Sequence, residues 1–220
     1  MSDILRKSIL QKTEVHIYEL LKGEGSGHDW WHIHRVRNTA LEIAKQEYAD
    51  EYIVELAALL HDIADHKFHN GDETMGPKVA GNWLEHVGAT KETIQHIRQI
   101  IADISYKGAG VDTPMHSLEG QIVQDADRLD AIGAIGIGRA FAYGGHKNRE
   151  MYNPEKPPKL HVSFEAYKTD KGPTINHFYE KLFLLKDRMN TKAAKVIAEK
   201  RHQFMKEFLE QFYGEWAGKK

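Results

Sequence analysis

The chain contains no cysteine, which excludes disulfide scaffolds, thiolate zinc sites and cysteine nucleophiles together. Long apolar runs are also missing, since no stretch approaches the ~20 residues that cross a bilayer. The opening residues MSDILRKSIL lack the apolar core and small-residue cleavage site of a secretory signal, which predicts a cytoplasmic location. Nor does one sign of charge dominate. Lys and Arg number 30 against 32 Asp and Glu, a formal net charge of -2, so no nucleic-acid footprint is visible at the scale of the whole chain. What is present is an apolar share of 41%, enough for a packed core, and 14 histidines. With cysteine absent, any transition-metal site must be built from imidazole and carboxylate.

Apolar spacing is helical almost throughout. Ile4, Leu5, Ile9, Ile17, Leu20 and Leu21 recur at helical intervals over residues 3–21, and Gly23, Gly25 and Gly27 end the run. Trp31 to Tyr48 repeats the pattern. A third helix starts at Asp50, a plausible N-cap, and runs through Ile53, Leu56, Ala57 and Leu60 into His61-Asp62. Further helices are expected at 75–87, 90–103 with Thr90 as cap, 117–127 and 129–143. Pro154, Pro157, Pro158 and Pro173 mark 144–173 as a long ordered loop, a type that is usually functional or mobile. Thr174 to Leu185 and about Thr191 to Trp216 complete the set, the last with Ile197, Phe204, Phe208, Phe212 and Trp216 on one face. No period-2 strand or repeat is visible. The expectation is an all-α single-domain helical bundle over 1–220, with a core at about 28–143 and C-terminal helices at about 174–216 packed on it.

Four polar residues stand out against this pattern: His32, the pair His61-Asp62, and Asp127. They fall on three separate helices, far apart in sequence, so only a folded bundle can gather them. Singly each has a bland reading, such as a hydrogen-bonded core histidine or a helix-end dipole partner. His-Asp dipeptides arise by chance, and the chain has a second at His28-Asp29. The His61-Asp62 pair differs because it closes the apolar run Ala-Ala-Leu-Leu, where an unpaired carboxylate is costly. Adjacent helical residues point about 100° apart, so both can face one ion only over the helix end.

The ordered set His32-x-x-Arg35-Val36, Leu59-Leu60-His61-Asp62-Ile63 and Asp125-Ala126-Asp127-Arg128-Leu129-Asp130 resembles the HD-domain metal-dependent phosphohydrolase superfamily. The longer strings His28-Asp-Trp-Trp-His32, HDIADHKF and QDADRLDAIGAIGIGRAFAYGG are similar to one branch, the small bacterial YedJ/YpgQ-like HD proteins. The resemblance runs roughly from His28 to Trp216. It implies that His32, His61, Asp62 and Asp127 hold one divalent ion, with open positions for water and a phosphate oxygen. Two-metal HD enzymes carry further histidines. His86, His96 and His116 are available here without the paired His-His those enzymes show, so one ion is expected, with a second as the alternative. Two imidazoles and two carboxylates suit Mn2+, Ni2+, Fe2+ or Zn2+ better than Mg2+, and Mn2+ is the leading expectation. Such an ion polarises a phosphoryl oxygen and brings water within reach of deprotonation near neutral pH.

Around this set, Asp65 lies three residues after Asp62 and four after His61, one helical turn away. A related group of HD nucleotidases places an acid at the same offset, which implies a general base or water orienter; the competing reading is an exposed helix-end carboxylate. His28, four residues before His32, suits either proton donation to a leaving oxygen or support of a ligand. Lys67, Lys107 and Arg139 are the cations expected to meet substrate phosphates, against a default of solvated surface charge. Gly133, Gly136 and Gly138 run G-x-x-G-x-G with no preceding strand, so helix packing explains them better than dinucleotide binding.

The expected activity is metal-dependent hydrolysis of a small phosphorylated metabolite, with a nucleotide as partner. Within the branch, the resemblance points to nucleoside triphosphates, deoxy forms included, cut between the α and β phosphates by a metal-activated water. Alternatives are a cyclic or linear nucleotide phosphodiesterase or nucleotidase, and a non-catalytic nucleotide-binding module. No membrane partner is expected, and a homo-oligomer is compatible with the sequence.

Overall fold

A computed structural model describes residues 1–23, 29–64, 74–104, 113–159 and 172–220. Among these residues there are nine α-helices, one 3-10 helix and no strand, so the fold is all-α. The chain divides into two compact units, and the boundary falls inside one continuous helix, between Ala126 and Asp127.

The first unit begins with α1 (Asp3–Leu21), α2 (Trp30–Glu47), α3 (Glu51–Leu60), α4 (Met75–His86) and α5 (Lys91–Asp103), and takes in most of α6 (Leu118–Asp130). Its centre is α3, in which every residue from Tyr52 to Leu60 except Glu55 is buried. A helix apolar on all sides must be surrounded. Helices α1, α2 and α5 pack around it. The starts of these helices follow short-range chemistry. Asp29 caps α2, Asp50 caps α3 and Thr90 caps α5, each side chain accepting from a backbone N–H of its own first turn. Arg37 on α2 fastens the group, with Nη1 2.9 Å from Glu14 Oε1 on α1 and Nε donating to Glu55 Oε1 on α3 at 2.8 Å. On the α1–α4 side, Trp83 Nε1 donates to Thr13 Oγ1 at 2.9 Å and stacks on His16.

The second unit contains the last residues of α6, then α7 (Gly133–His146), the short α8 (Asn176–Glu180), a 3-10 helix (Leu182–Arg188) and α9 (Lys192–Trp216). Its core is an aromatic cluster in which Phe141 meets Phe178, Phe208 and Phe212, with Tyr152 edge-on to Phe212 and Trp216. Offset and edge-to-face rings of this kind add to simple area burial.

Four expectations are corrected. Helix α6 does not stop at 127; it continues to Asp130, and the backbone leaves the helical region only where Ile132 is extended and Gly133 takes φ +78. The loop expected from 144 begins after His146, since α7 holds three further residues. The helix expected over Thr174 to Leu185 is broken at Lys181, whose φ of -141 and ψ of -57 lie outside the helical region, leaving one α turn and a 3-10 segment. On α9 the buried line is Ala194, Ala198, Met205 and Leu209, with Phe204 and Trp216 about half exposed. The expected face is corrected only in part, because Phe208 and Phe212 do pack into the aromatic cluster while Phe204 and Trp216 lie at its margin.

Candidate metal centre

Local structure delivers three of the four polar residues to one place. His32 is the third residue of α2, where its own backbone N–H is held by Asp29 Oδ1 at 2.9 Å. Its side chain is fully buried. His61 is the residue that ends α3, and Asp62 lies in the turn just beyond it. The end of a buried helix thus carries the pair inward.

His32 Nε2 lies 3.3 Å from His61 Nε2, and Asp62 Oδ2 lies 3.5 Å from the first nitrogen and 3.7 Å from the second. Asp127, on α6, completes a compact group with the two histidines in which the three potential ligand atoms all fall within 4.8 Å of one another. Among the described residues this is the one such group.

The donor set fits a cation. His61 Nδ1 sits 2.8 Å from the Ala58 carbonyl oxygen, so Nδ1 carries the proton and donates, leaving the Nε2 lone pair facing His32. Two imidazole nitrogens and nearby carboxylate oxygens then converge, and such acceptors cannot satisfy one another without a proton or a positive ion between them. The spacing agrees as well: two nitrogens each about 2.1 Å from one ion sit roughly 3.0–3.4 Å apart.

The remaining sequence candidates divide into two sets. His28, Asp65, Lys67 and Lys107 lie outside the described residues. Arg139, on α7, has Nη1 2.5 Å from Asp130 Oδ2 and 3.4 Å from the Asp130 carbonyl, so its guanidinium is engaged with the end of α6. Of the spare histidines, His96 Nε2 lies 3.8 Å from Glu119 Oε2, His86 lies against Trp83, and His116 is exposed. Two contributors escape a sequence reading. The Ala58 carbonyl orients His61 through backbone geometry and leaves no residue-type signal. Asp29, in a dipeptide that reads as chance, caps α2 directly beneath His32; an Asp immediately before an apolar helix start is the cue that marks it.

An all-α fold with two buried histidines and an aspartate converging at helix ends defines a class of metal-dependent hydrolases. The HD domain model matches residues 30–132, the segment that carries all three, and the chain belongs to that family. Its relatives are close. Bacillus subtilis YpgQ is 41% identical over 209 residues, covering 93% of both chains. The structure of an HD-superfamily hydrolase from Bacillus thuringiensis superposes with a TM-score of 0.77 at 45% identity, covering 96% of this chain and 98% of that one. The structure of B. subtilis YpgQ in complex with ADP also gives 0.77, at 34% identity over 96% of each chain. HD domains bind a divalent metal, and this chain is a metal-dependent phosphohydrolase. No helix among the described residues is long and apolar enough to cross a membrane.

Proposed function

We propose that the protein is a nucleotide pyrophosphohydrolase, acting on nucleoside triphosphates, deoxy forms included, with His32, His61, Asp62 and Asp127 holding one divalent ion, Mn2+ by preference. The observation that carries the ligand assignment is the convergence of the two Nε2 atoms with Asp127. Support for a nucleotide comes from the ADP in the YpgQ complex. Two carboxylates against a divalent charge leave the centre near neutral, which suits a polyanionic substrate better than a third carboxylate would. When bound, the ion supplies Lewis acidity toward a phosphoryl oxygen and lowers the pKa of water.

The chain's own groups do the rest. His61, fixed by Ala58, presents Nε2 without a search over tautomers. Asp65 takes the proton of the attacking water or orients it, and His28 protonates the leaving side or supports a ligand. Lys67 and Lys107 offset phosphate charge, with Arg139, held at Asp130, as the third candidate. In the overall reaction water oxygen bonds to the α-phosphorus, the bridging oxygen leaves with pyrophosphate, and the nucleoside monophosphate is released.

The test is a panel of dNTPs, NTPs, NMPs and cyclic nucleotides with Mn2+, reading pyrophosphate and orthophosphate separately, alongside Asp127→Ala. Pyrophosphate from triphosphates, with metal content and turnover lost together in the variant, is expected. Orthophosphate from monophosphates alone would sink the triphosphate reading. Cyclic-nucleotide turnover with two ions per chain would favour a phosphodiesterase. An Asp127→Ala variant with full metal content and turnover would remove Asp127 from the centre.

A further inference from the structure

The last turn of α6 starts at Asp127, and three arginines act on the residues that follow. Arg201, from the middle of α9, donates through Nη1 to the Leu129 carbonyl at 2.5 Å. Arg139, from α7, donates through Nη1 to the Asp130 carboxylate at 2.5 Å and reaches its carbonyl at 3.4 Å. Arg128 itself donates to the carbonyl of Arg188, which closes the 3-10 helix. A helix end leaves its final carbonyls without intrahelical donors and carries partial negative charge, so a guanidinium there satisfies both.

Arg201 is distinctive among the three because the fold makes room for it. Gly133 has φ +78, and a Cβ on it would lie 2.9 Å from Arg201 Cγ and 3.0 Å from its Cβ. The glycine that turns the chain out of α6 is also the floor on which the Arg201 stem lies. Burial pushes the guanidinium below its ordinary pKa and the Asp130 carboxylate opposes that shift, as expected for a cation drawn out of water toward a carbonyl and an acid.

We infer that Arg201 is a positioning residue for Asp127: it pins the α6 end from the C-terminal helix so that the Asp127 carboxylate keeps its place in the metal centre. The inference rests on the proposed reading of Asp127 as a ligand. Outer groups that fix metal ligands typically change affinity by about 10–100-fold.

The test is Mn2+ titration of the purified full chain, followed by EPR of the free ion, on wild type, Arg201→Met, Ala198→Gly and Asp127→Asn, with thermal unfolding of each after chelation. Ala198, buried on the same helix about one turn earlier and with no polar side chain to hold the Leu129 carbonyl, supplies a loss of stability for comparison. Arg201→Met is expected to weaken Mn2+ binding about 10-fold or more, while Ala198→Gly lowers Tm and leaves the affinity within about twofold. Equal affinity in Arg201→Met and wild type, or equal losses in Arg201→Met and Ala198→Gly, overturns the inference. Wild-type affinity in Asp127→Asn instead overturns the ligand reading beneath it. Should Arg201→Met not fold, Arg201→Lys decides: it keeps the stem and charge but not the planar fork, so affinity reduced about 2–5-fold sustains the role and unchanged affinity ends it.

Discussion

Gly133, Gly136 and Gly138 are the same residue type and lie within six residues, yet the structure gives them three different surroundings. Gly133 needs its positive φ and the space that Arg201 fills. A Cβ on Gly136 would lie 2.2 Å from the Ala131 carbonyl oxygen, a backbone atom with little freedom to move. A Cβ on Gly138 would meet nothing within 4 Å. Alanine at these positions should therefore separate in sign. Gly133→Ala and Gly136→Ala should each destabilise by about 1–3 kcal/mol, whereas Gly138→Ala, inside α7 and exposed, should stabilise by roughly 0.5–1 kcal/mol. Urea unfolding of the three variants measures this, and a destabilised Gly138→Ala would contradict the open space. Sequence reasoning reads the three alike as packing glycines, because φ and the position of a carbonyl five residues back are not written in residue type. The metal centre was more legible. His61-Asp62 is visible because an apolar run delivers two polar residues to a helix end, and burying them without a cation is costly. The order of His32, His61-Asp62 and Asp127 on separate helices then carried the family resemblance.

At the scale of elements, caps made the helix starts readable and backbone irregularity hid some of the ends. Asp50 and Thr90 are short polar side chains just before apolar periodicity, and both accept from a first-turn N–H as their position suggests. Thr174 has the same appearance but its segment breaks at Lys181, where tertiary packing of Phe178 and Leu182 in the second unit overrides local propensity. The α9 face is legible in part: Phe208 and Phe212 pack into the aromatic cluster as their spacing suggests, while Phe204 and Trp216 lie at its margin with half their surface in water. The N-cap of α2 joins element and site. Asp29 Oδ1 accepts from the backbone N–H of His32, so the cap that starts the helix also fixes the backbone of a candidate ligand. Asp29→Ala should cost about 1 kcal/mol of stability and lower Tm by roughly 2–4 °C. Asp29→Asn, which keeps a side-chain acceptor, should recover most of it. Calorimetry after chelation measures the comparison, and an Asn variant no better than Ala would show that the cap hydrogen bond is not what α2 uses.

For the whole molecule, histidine matters away from the candidate metal centre as well as in it. Three of them, one in the first unit and two in the second, are held below the ordinary imidazole pKa. Burial lowers His16, with His86 adding; burial lowers His202, with Lys186 adding; and burial pushes His177 to about 3, with Lys181 and Arg149 adding positive charge. All three shifts have one sign. In the unfolded chain each imidazole takes up a proton near pH 6.5, while the folded protein resists protonation until lower pH. The unfolded state therefore binds more protons as pH falls below about 6.5, and folding stability declines through that window; for His177 the decline extends toward about 3. Above about 6.5 the contribution is complete and flat. Moving from pH 7.5 to pH 5, His177 alone removes up to roughly 2 kcal/mol, with smaller losses from His16 and His202 because both lie closer to solvent. Urea unfolding at pH 7.5, 6.5, 5.5 and 5.0, with chelator present so that loss of metal does not contribute, should show this decline. His177→Gln, which cannot take up a proton, should flatten it by close to one proton equivalent, about 1.4 kcal/mol per pH unit on the acid side. A wild-type stability that is level or rising between pH 7.5 and 5, or a variant that keeps the full slope, would show that the folded protein accommodates protonated imidazole at these positions.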